Sequence, residues 1–121
     1  MKAPIFVFTD DLDIFRSAQN AENYFEAWIL EQGFVGFDSE GRTLAATTVL
    51  RPGPRILWLV PTQIETVSLS ETTELAPEKL KQNLVSYLKQ LEKNEEDWQA
   101  LRVRPLSEVV ERAIQLKGYS D

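Results

Sequence analysis

The chain has 121 residues and a formal net charge of −6, and it contains neither cysteine nor histidine. The absence of cysteine excludes disulfides and thiolate metal sites, and the absence of histidine removes the commonest general base and transition-metal ligand. The negative charge repels the phosphates of nucleic acid and favours a basic protein as the partner. We therefore expect a single, non-enzymatic domain over residues 1–121 that requires no metal or other cofactor.

The N-terminal segment predicts a protein that stays in the cytoplasm. Only four apolar residues, Ile5 to Phe8, precede the polar residues Thr9, Asp10 and Asp11, so the segment lacks the apolar core of a secretion signal. No apolar run approaches the roughly 18 residues that a membrane-spanning helix needs. The sequence therefore predicts no contact with a membrane.

The first third of the chain predicts a strand followed by an amphipathic helix. The apolar run at residues 5–8 indicates a buried strand, and residues 12–15 are expected to cross from it to the helix. Ser17 is a helix-capping residue, and the predicted helix covers residues 17–32. Apolar side chains recur along it at the spacing of one helical face, at Ala21, Tyr24, Phe25, Trp28 and Ile29.

The middle of the chain predicts strands joined by turns. Residues 34–37 indicate a strand, and residues 38–41 have the Asp and Gly of a tight turn that closes a hairpin. Residues 43–51 alternate as a half-buried strand does. Residues 56–60 are the most apolar run and are expected near the centre of the sheet, whereas residues 64–73 carry the polar side chains of an edge strand.

The last third predicts helices. Pro77 suits the first turn of a helix, and a stripe of leucines and Tyr87 follows it at helical spacing. A short helix carrying Trp98 and Leu101 comes next, and Ser107 is expected to cap a last helix that stops at Gly118. The resulting order, β-α-β-β-β-β-α-α, predicts an α+β fold in which helices pack on one face or end of an antiparallel sheet.

Three aspartates, Asp10, Asp11 and Asp13, follow the first predicted strand. Carboxylates at a strand end hold magnesium in phosphotransfer enzymes of the haloacid dehalogenase type. The glycine and threonine that follow the second aspartate in that motif are replaced here by Ile14 and Phe15. The cluster is therefore interpreted as the polar end of a strand, and a carboxylate-based enzyme is the least favoured hypothesis.

Two segments resemble a family of small bacterial immunity proteins, which neutralise secreted or contact-delivered toxins, including toxins on Rhs-type carriers. Residues 21–26 have the form Ala-Glu-x-Tyr-apolar-Glu, and residues 37–44 form an aromatic-Asp-x-x-Gly hairpin motif. The resemblance covers about the first 45 residues. It departs from the family pattern after Glu26, where a proline and an acidic residue often follow.

The resemblance implies a protein that binds and occludes a cognate toxin without catalysis. Acidic side chains are the expected contacts with a basic toxin: Glu22 and Glu26 on the solvent face of the first helix, and Asp38 and Glu40 in the neighbouring hairpin. Acidic residues of the predicted edge strand and its end are the second choice, at Glu65, Glu71 and Glu74. The alternative hypothesis is a structural or regulatory interaction module of a bacterial assembly.

Overall fold

The computed structural model describes residues 1–25, 33–52, 63–91 and 95–121. Its strands are β1 (Ile5–Phe8), β2 (Leu12–Phe15), β3 (Val35–Phe37), β4 (Arg42–Pro52) and β5 (Gln63–Leu75). Its helices are α1 (Ala18–Tyr24), α2 (Pro77–Leu91), α3 (Glu95–Arg102) and α4 (Leu106–Lys117). The strands form one antiparallel sheet in the order β2-β1-β3-β4-β5. The predicted α+β fold with an antiparallel sheet is confirmed.

Helices cover both faces of the sheet instead of one face or end. Because side chains alternate along a strand, β1 sends Phe6 to one face and Ile5 and Val7 to the other. The face that carries Phe6 packs against α2 and α4, whose buried residues include Leu84. The opposite face packs against α1, and its buried residues include Ala21. The sheet is therefore the middle layer of three.

Helix α1 is shorter than the sequence predicted. The Ser17 side chain accepts a hydrogen bond from the Asn20 backbone N–H at 3.1 Å, which confirms the N-terminal cap. Phe25 has an extended backbone, with φ −87° and ψ 137°, so the helix ends at Tyr24. Residues 26–32, which include Trp28, lie outside the described residues.

The segment expected to cross from β1 to the helix is itself a strand. Residues Leu12–Phe15 pair with β1 in a tight hairpin, in which Leu12 lies opposite Phe8. Leu12 and Ile14 pack toward α2 and α4, whereas Phe15 packs toward α1. This strand has only four residues, so its alternation of Leu12, Asp13 and Ile14 is too short to be distinguished from a connecting segment.

The hairpin at the centre of the chain differs from the prediction in its pairing. Strand β4 pairs directly with β5 as far as Pro52 opposite Gln63, so no strand lies between them. The strand at residues 56–60, expected near the centre of the sheet, stays a prediction. Residues 53–62 themselves lie outside the described residues. The prediction that residues 64–73 form an edge strand is confirmed, because β5 is the last strand of the sheet.

The turn at residues 38–41 brings the sheet against the start of α2. Gly41 has φ +88°, a backbone conformation that L-residues with a side chain rarely adopt. A Cβ atom at Gly41 would lie 2.3 Å from the Cα atom of Pro77, so only glycine permits this approach. The Ala76 N–H also donates to the Gly41 carbonyl at 2.8 Å.

The C-terminal helices follow the predicted apolar pattern with one difference in capping. Leu80, Leu84 and Leu88 of α2 are fully buried, as their spacing predicted. Helix α4 begins two residues earlier than expected, at Leu106 with Pro105 in the capping position, so Ser107 is not the cap. Gly118 ends α4 with φ +75°. The chain then runs beside β2, where the Ser120 N–H donates to the Ile14 carbonyl at 2.8 Å.

Candidate protein-binding surface

The sequence predicted that Glu22 is free in solvent, but its carboxylate is bound to the sheet. Its Oε2 atom accepts a hydrogen bond from the backbone N–H of Leu69 at 2.7 Å. Leu69 lies on β5, the edge strand, and α1 packs against that strand. The carboxylate therefore satisfies a main-chain donor at the free edge of the sheet, which is a structural role.

Asp38 also has a structural role. Its side chain is 2% exposed, and its Oδ1 atom accepts hydrogen bonds from the N–H groups of Glu40 and Arg42 at 2.9 and 3.0 Å. Its Oδ2 atom lies 3.4 Å from the Lys2 backbone nitrogen. These contacts hold the turn between β3 and β4 together. The expectation that Asp38 is an open contact residue does not fit this burial.

The four predicted contact residues do not form one exposed acidic cluster among the described residues. Glu40 is exposed and forms a surface ion pair with Lys2 at 3.3 Å. It belongs to the turn at the start of β4, whereas Glu22 binds Leu69, whose β4 partner is Ala46. Four residues of strand separate the two places, roughly 13 Å. Glu26 lies outside the described residues, so its part of the prediction stays open.

Two of the three second-choice acids lie on the sheet face that packs against α1. Glu65 and Glu71 are on the same face of β5 as Leu69, which contacts α1. Glu71 forms an ion pair with the Met1 amino group, and Glu74 forms one with Lys79 at 3.0 Å. Exposed pairs of this kind contribute little to stability and leave the carboxylates accessible.

Strands β4 and β5 extend well past the rest of the sheet. Strand β3 pairs with β4 only at Thr43 and Leu44, so residues 45–52 of β4 pair only with residues 63–70 of β5 among the described residues. We call these two segments the β4–β5 ribbon. Leu50 is 59% exposed and Val49 is 38% exposed. The ribbon is therefore a two-stranded projection with apolar side chains at its surface.

One face of the ribbon has no helix packed on it among the described residues. The cluster that packs under α2 and α4 includes buried side chains from β1, β2 and β3 but none from β4 or β5. Cross-strand pairs place six short, uncharged side chains on this open ribbon face: Ala45, Thr47 and Val49 from β4, and Thr66, Ser68 and Ser70 from β5. A surface of short side chains on which Thr47 and Val49 are exposed is suited to contact with another protein.

A groove of about 330 Å³ lies beside the open ribbon face, on the same side of the sheet. Its apolar wall is formed by Phe8 and Val35, and its polar wall is formed by α2 residues that include Tyr87. Val35 pairs with Phe8, and the β3–β4 register continues to place Ala45 next to Val35. The groove and the open ribbon face are therefore neighbouring parts of one surface. We call this cavity the Asp10–Tyr87 groove.

Two aspartates that follow β1, Asp10 and Asp11, line this groove, and they differ in the number of their interaction partners. Asp11 accepts hydrogen bonds from the Tyr87 hydroxyl and from the Leu12 N–H, and these bonds, together with the Lys117 ammonium 3.5 Å away, lower the pKa of its carboxyl group. Burial, followed by the hydrogen bond to Asp11, raises the pKa of Tyr87 to about 12. Asp10 is exposed and makes no hydrogen bond or ion pair with the residues that the structure describes.

The three aspartates that follow β1, Asp10, Asp11 and Asp13, do not form one cluster of carboxylates. Asp13 accepts a hydrogen bond from the Ser120 hydroxyl at 2.8 Å, away from the groove that Asp10 and Asp11 line. Among the described residues, no group of three or more His, Cys, Asp or Glu side chains could hold a metal ion. No helix in the described part of the chain is long and apolar enough to cross a membrane.

No sequence pattern indicated the open ribbon face or the Asp10–Tyr87 groove. The alternation of Thr47 and Val49 with Ala46 and Thr48 was visible, but only the helix arrangement decides which set stays uncovered. Tyr87 was predicted as part of an apolar stripe, and its contact with Asp11 joins residues 76 positions apart. No local pattern carries that information.

Comparisons with known proteins give no relative from which a function could be inferred. No protein-family model, no curated protein and no solved structure matches this chain.

Proposed function

We propose that this chain is an immunity protein that binds a basic bacterial toxin domain and occludes it, with no catalytic step of its own. Two features of the sequence support the proposal: the resemblance carried by residues 21–26 and 37–44, and the net charge of −6. A toxin that acts on nucleic acid or another anionic substrate has a basic surface, and an acidic inhibitor associates rapidly with such a surface.

The open ribbon face is the observation that carries the proposal. A sheet face with exposed Thr47 and Val49 offers a broad, flat contact to a partner, and Glu65 adds negative charge on the other face of the same ribbon. A specific interface takes about 800 Å² from each partner, so a toxin seated on the ribbon also reaches the Asp10–Tyr87 groove. Occlusion of the toxin by this surface requires no reacting side chain.

A second candidate function uses the same surface. In this hypothesis, the chain is a structural or regulatory interaction module of a bacterial assembly and neutralises no toxin. The projecting β4–β5 ribbon supports either function, since a two-stranded arm with exposed apolar side chains suits contact with any protein. The two candidates differ in whether the partner is harmful to the cell that makes it.

Growth of a bacterial host separates the two candidates. The reading frame adjacent to the gene for this chain is expressed from an inducible promoter, alone and together with the chain. The proposal expects growth arrest in the first case, growth in the second, and a complex of the two purified proteins. A neighbouring product that forms a complex but causes no arrest when expressed alone would support the interaction-module hypothesis instead.

A matched pair of variants locates the interface. Thr47→Arg adds a positive charge to the open ribbon face, whereas Gln115→Arg adds the same charge to an exposed position on α4. Helix α4 leads into residues that run along β2, at the opposite edge of the sheet from β5. Thr47→Arg is expected to weaken toxin binding at least about tenfold, because a central repulsive charge is costly. Gln115→Arg is expected to bind and protect as the unaltered chain does.

A further inference from the structure

We infer that the Asp10–Tyr87 groove binds an arginine side chain of the partner protein. The inference rests on the proposed function, since it names one contact of the same surface. It is carried by the geometry of three parts of the groove: a free carboxylate, an apolar wall and a row of polar side chains on α2.

The free carboxylate is that of Asp10. Asp11, its neighbour, is already bonded to the Tyr87 hydroxyl and to the Leu12 N–H, and Lys117 lies 3.5 Å from it. Its charge is therefore largely balanced within the chain. Asp10 has no such balance among the described residues, so a cation that enters the groove finds one unpaired negative charge at its mouth.

The apolar wall fits the stem of a long basic side chain. Phe8 and Val35 face each other across the β1–β3 pair, and Val35 is 46% exposed although it lies in a strand. The three methylene groups of arginine bury against such a surface while the charged end stays near polar groups. The groove is open and has a volume of about 330 Å³, which suits one side chain presented by a protein surface.

The polar row on α2 favours arginine over lysine. Asn83, Ser86 and Gln90 line the groove on the same helix as Tyr87, and their side-chain oxygens are hydrogen-bond acceptors. A guanidinium group has five N–H donors in one plane and can reach a carboxylate and amide oxygens together, whereas an ammonium group is a compact point charge. The flat group also stacks on an aromatic ring, which Tyr87 supplies.

The neighbouring open ribbon face explains how an arginine would arrive. Ala45 continues the strand next to Val35, so a partner that lies on Thr47 and Val49 has its edge at the mouth of the groove. The six side chains named on the open ribbon face carry no charge, whereas the groove carries the Asp10 carboxylate. In this arrangement the ribbon supplies area and the groove supplies a charged anchor, which is a common division in protein interfaces.

A small probe tests the groove without any toxin. Nα-acetyl-arginine N-methylamide is titrated into the ¹⁵N-labelled chain, and the backbone amide shifts are followed by NMR. We expect saturable shifts centred on Asp10, Ser86 and Tyr87, with a dissociation constant of roughly 1–10 mM because a single side chain buries little area. The lysine analogue is expected to bind several-fold more weakly, and the neutral citrulline analogue should produce no saturable shift.

Two isosteric variants complete the test. Asp10→Asn removes the free charge of the groove and is expected to weaken binding of the arginine probe roughly five- to tenfold. Glu111→Gln makes the same chemical change at an exposed position of α4 and should bind the probe as the unaltered chain does. Both variants should melt at nearly the temperature of the unaltered chain, because exposed charges contribute little to stability.

Several outcomes would overturn the inference. Equal shifts with the citrulline analogue, unchanged affinity in Asp10→Asn, or tighter binding of the lysine analogue would each remove the arginine assignment. Absence of any shift in the groove would do the same and would leave the proposed function to the growth experiment. Conversely, a groove that binds the arginine probe in a chain that protects against no toxin would count against the proposed function alone.

Discussion

The carboxylate of Glu22 lies 2.7 Å from the backbone nitrogen of Leu69, so α1 is joined to the edge strand β5 by a charge-assisted hydrogen bond. Strand β5 has no strand partner on its outer side in the described part of the chain. An unpaired edge N–H attracts strands of other molecules, and a carboxylate from the same chain blocks that contact at Leu69. Glu22, which the sequence predicted to be an interface residue, therefore has a structural role.

Replacement of Glu22 by alanine is expected to lower the free energy of unfolding by roughly 1–3 kcal/mol, because the Leu69 N–H loses a charged acceptor. Glu22→Lys is expected to be at least as harmful, since it sets an ammonium group beside that donor. Urea denaturation followed by circular dichroism measures the change. Glu40→Ala, on an exposed side chain with only a surface ion pair, is the control and should shift stability by less than about 0.5 kcal/mol. Equal stability of the Glu22 and Glu40 variants would contradict the structural role.

Asp38 is expected to be more sensitive than either of those residues. Its carboxylate is buried and accepts hydrogen bonds from Glu40 N–H and Arg42 N–H, so Asp38→Ala leaves two donors in the turn without their acceptor. We expect a loss of roughly 2–4 kcal/mol in unfolding free energy. Asp38→Asn keeps one acceptor oxygen and should lose less. If Asp38→Ala melts like the unaltered chain, the buried turn network is wrong.

Phe25 is the aromatic anchor of the α1 side of the core. It is 5% exposed, and its ring lies 5.3 Å from the Phe15 ring and 6.4 Å from the Phe34 ring. Phe25→Ala is expected to cost roughly 3–5 kcal/mol, measured by a thermal or urea melt. Tyr24 is 51% exposed, although its ring lies 5.1 Å from that of Phe25, and Tyr24→Ala should cost clearly less. A nearly unchanged melt for Phe25→Ala would contradict the packing of α1 on the sheet.

The titration of Tyr87 reports on the Asp10–Tyr87 groove. Its pKa is raised from 10.0 to about 12, so the folded chain keeps this phenol protonated at a pH where the unfolded chain loses the proton. The stabilisation is therefore complete below pH 10 and is lost as the pH rises toward 12. Absorbance at 295 nm should show a late phenolate step that is missing in Tyr87→Phe. In Asp11→Asn that step should move to lower pH, because the hydrogen-bond acceptor loses its charge. A step that stays in place would exclude the contact between Tyr87 and Asp11.

The sequence by itself determined the elements whose signals are local. Pro77 marked the first residue of α2, the leucine spacing gave its buried stripe, and Gly118 marked the end of α4. The turn before β4 was predicted from its aspartate and glycine, because few residues other than glycine adopt positive φ without strain. These features depend on a few consecutive residues, so a single sequence is sufficient to predict them.

Only the tertiary structure decided which polar groups are free. The sequence could not separate a structural Glu22 from an exposed one, since the difference lies in a hydrogen bond to Leu69, 47 positions away. In the same way, Asp10 and Asp11 are identical neighbours, yet Tyr87 and Lys117 engage only Asp11. The pairing of distant strands and helices sets such contacts, and the physical reason is that a carboxylate takes its role from the donors and cations that folding brings to it.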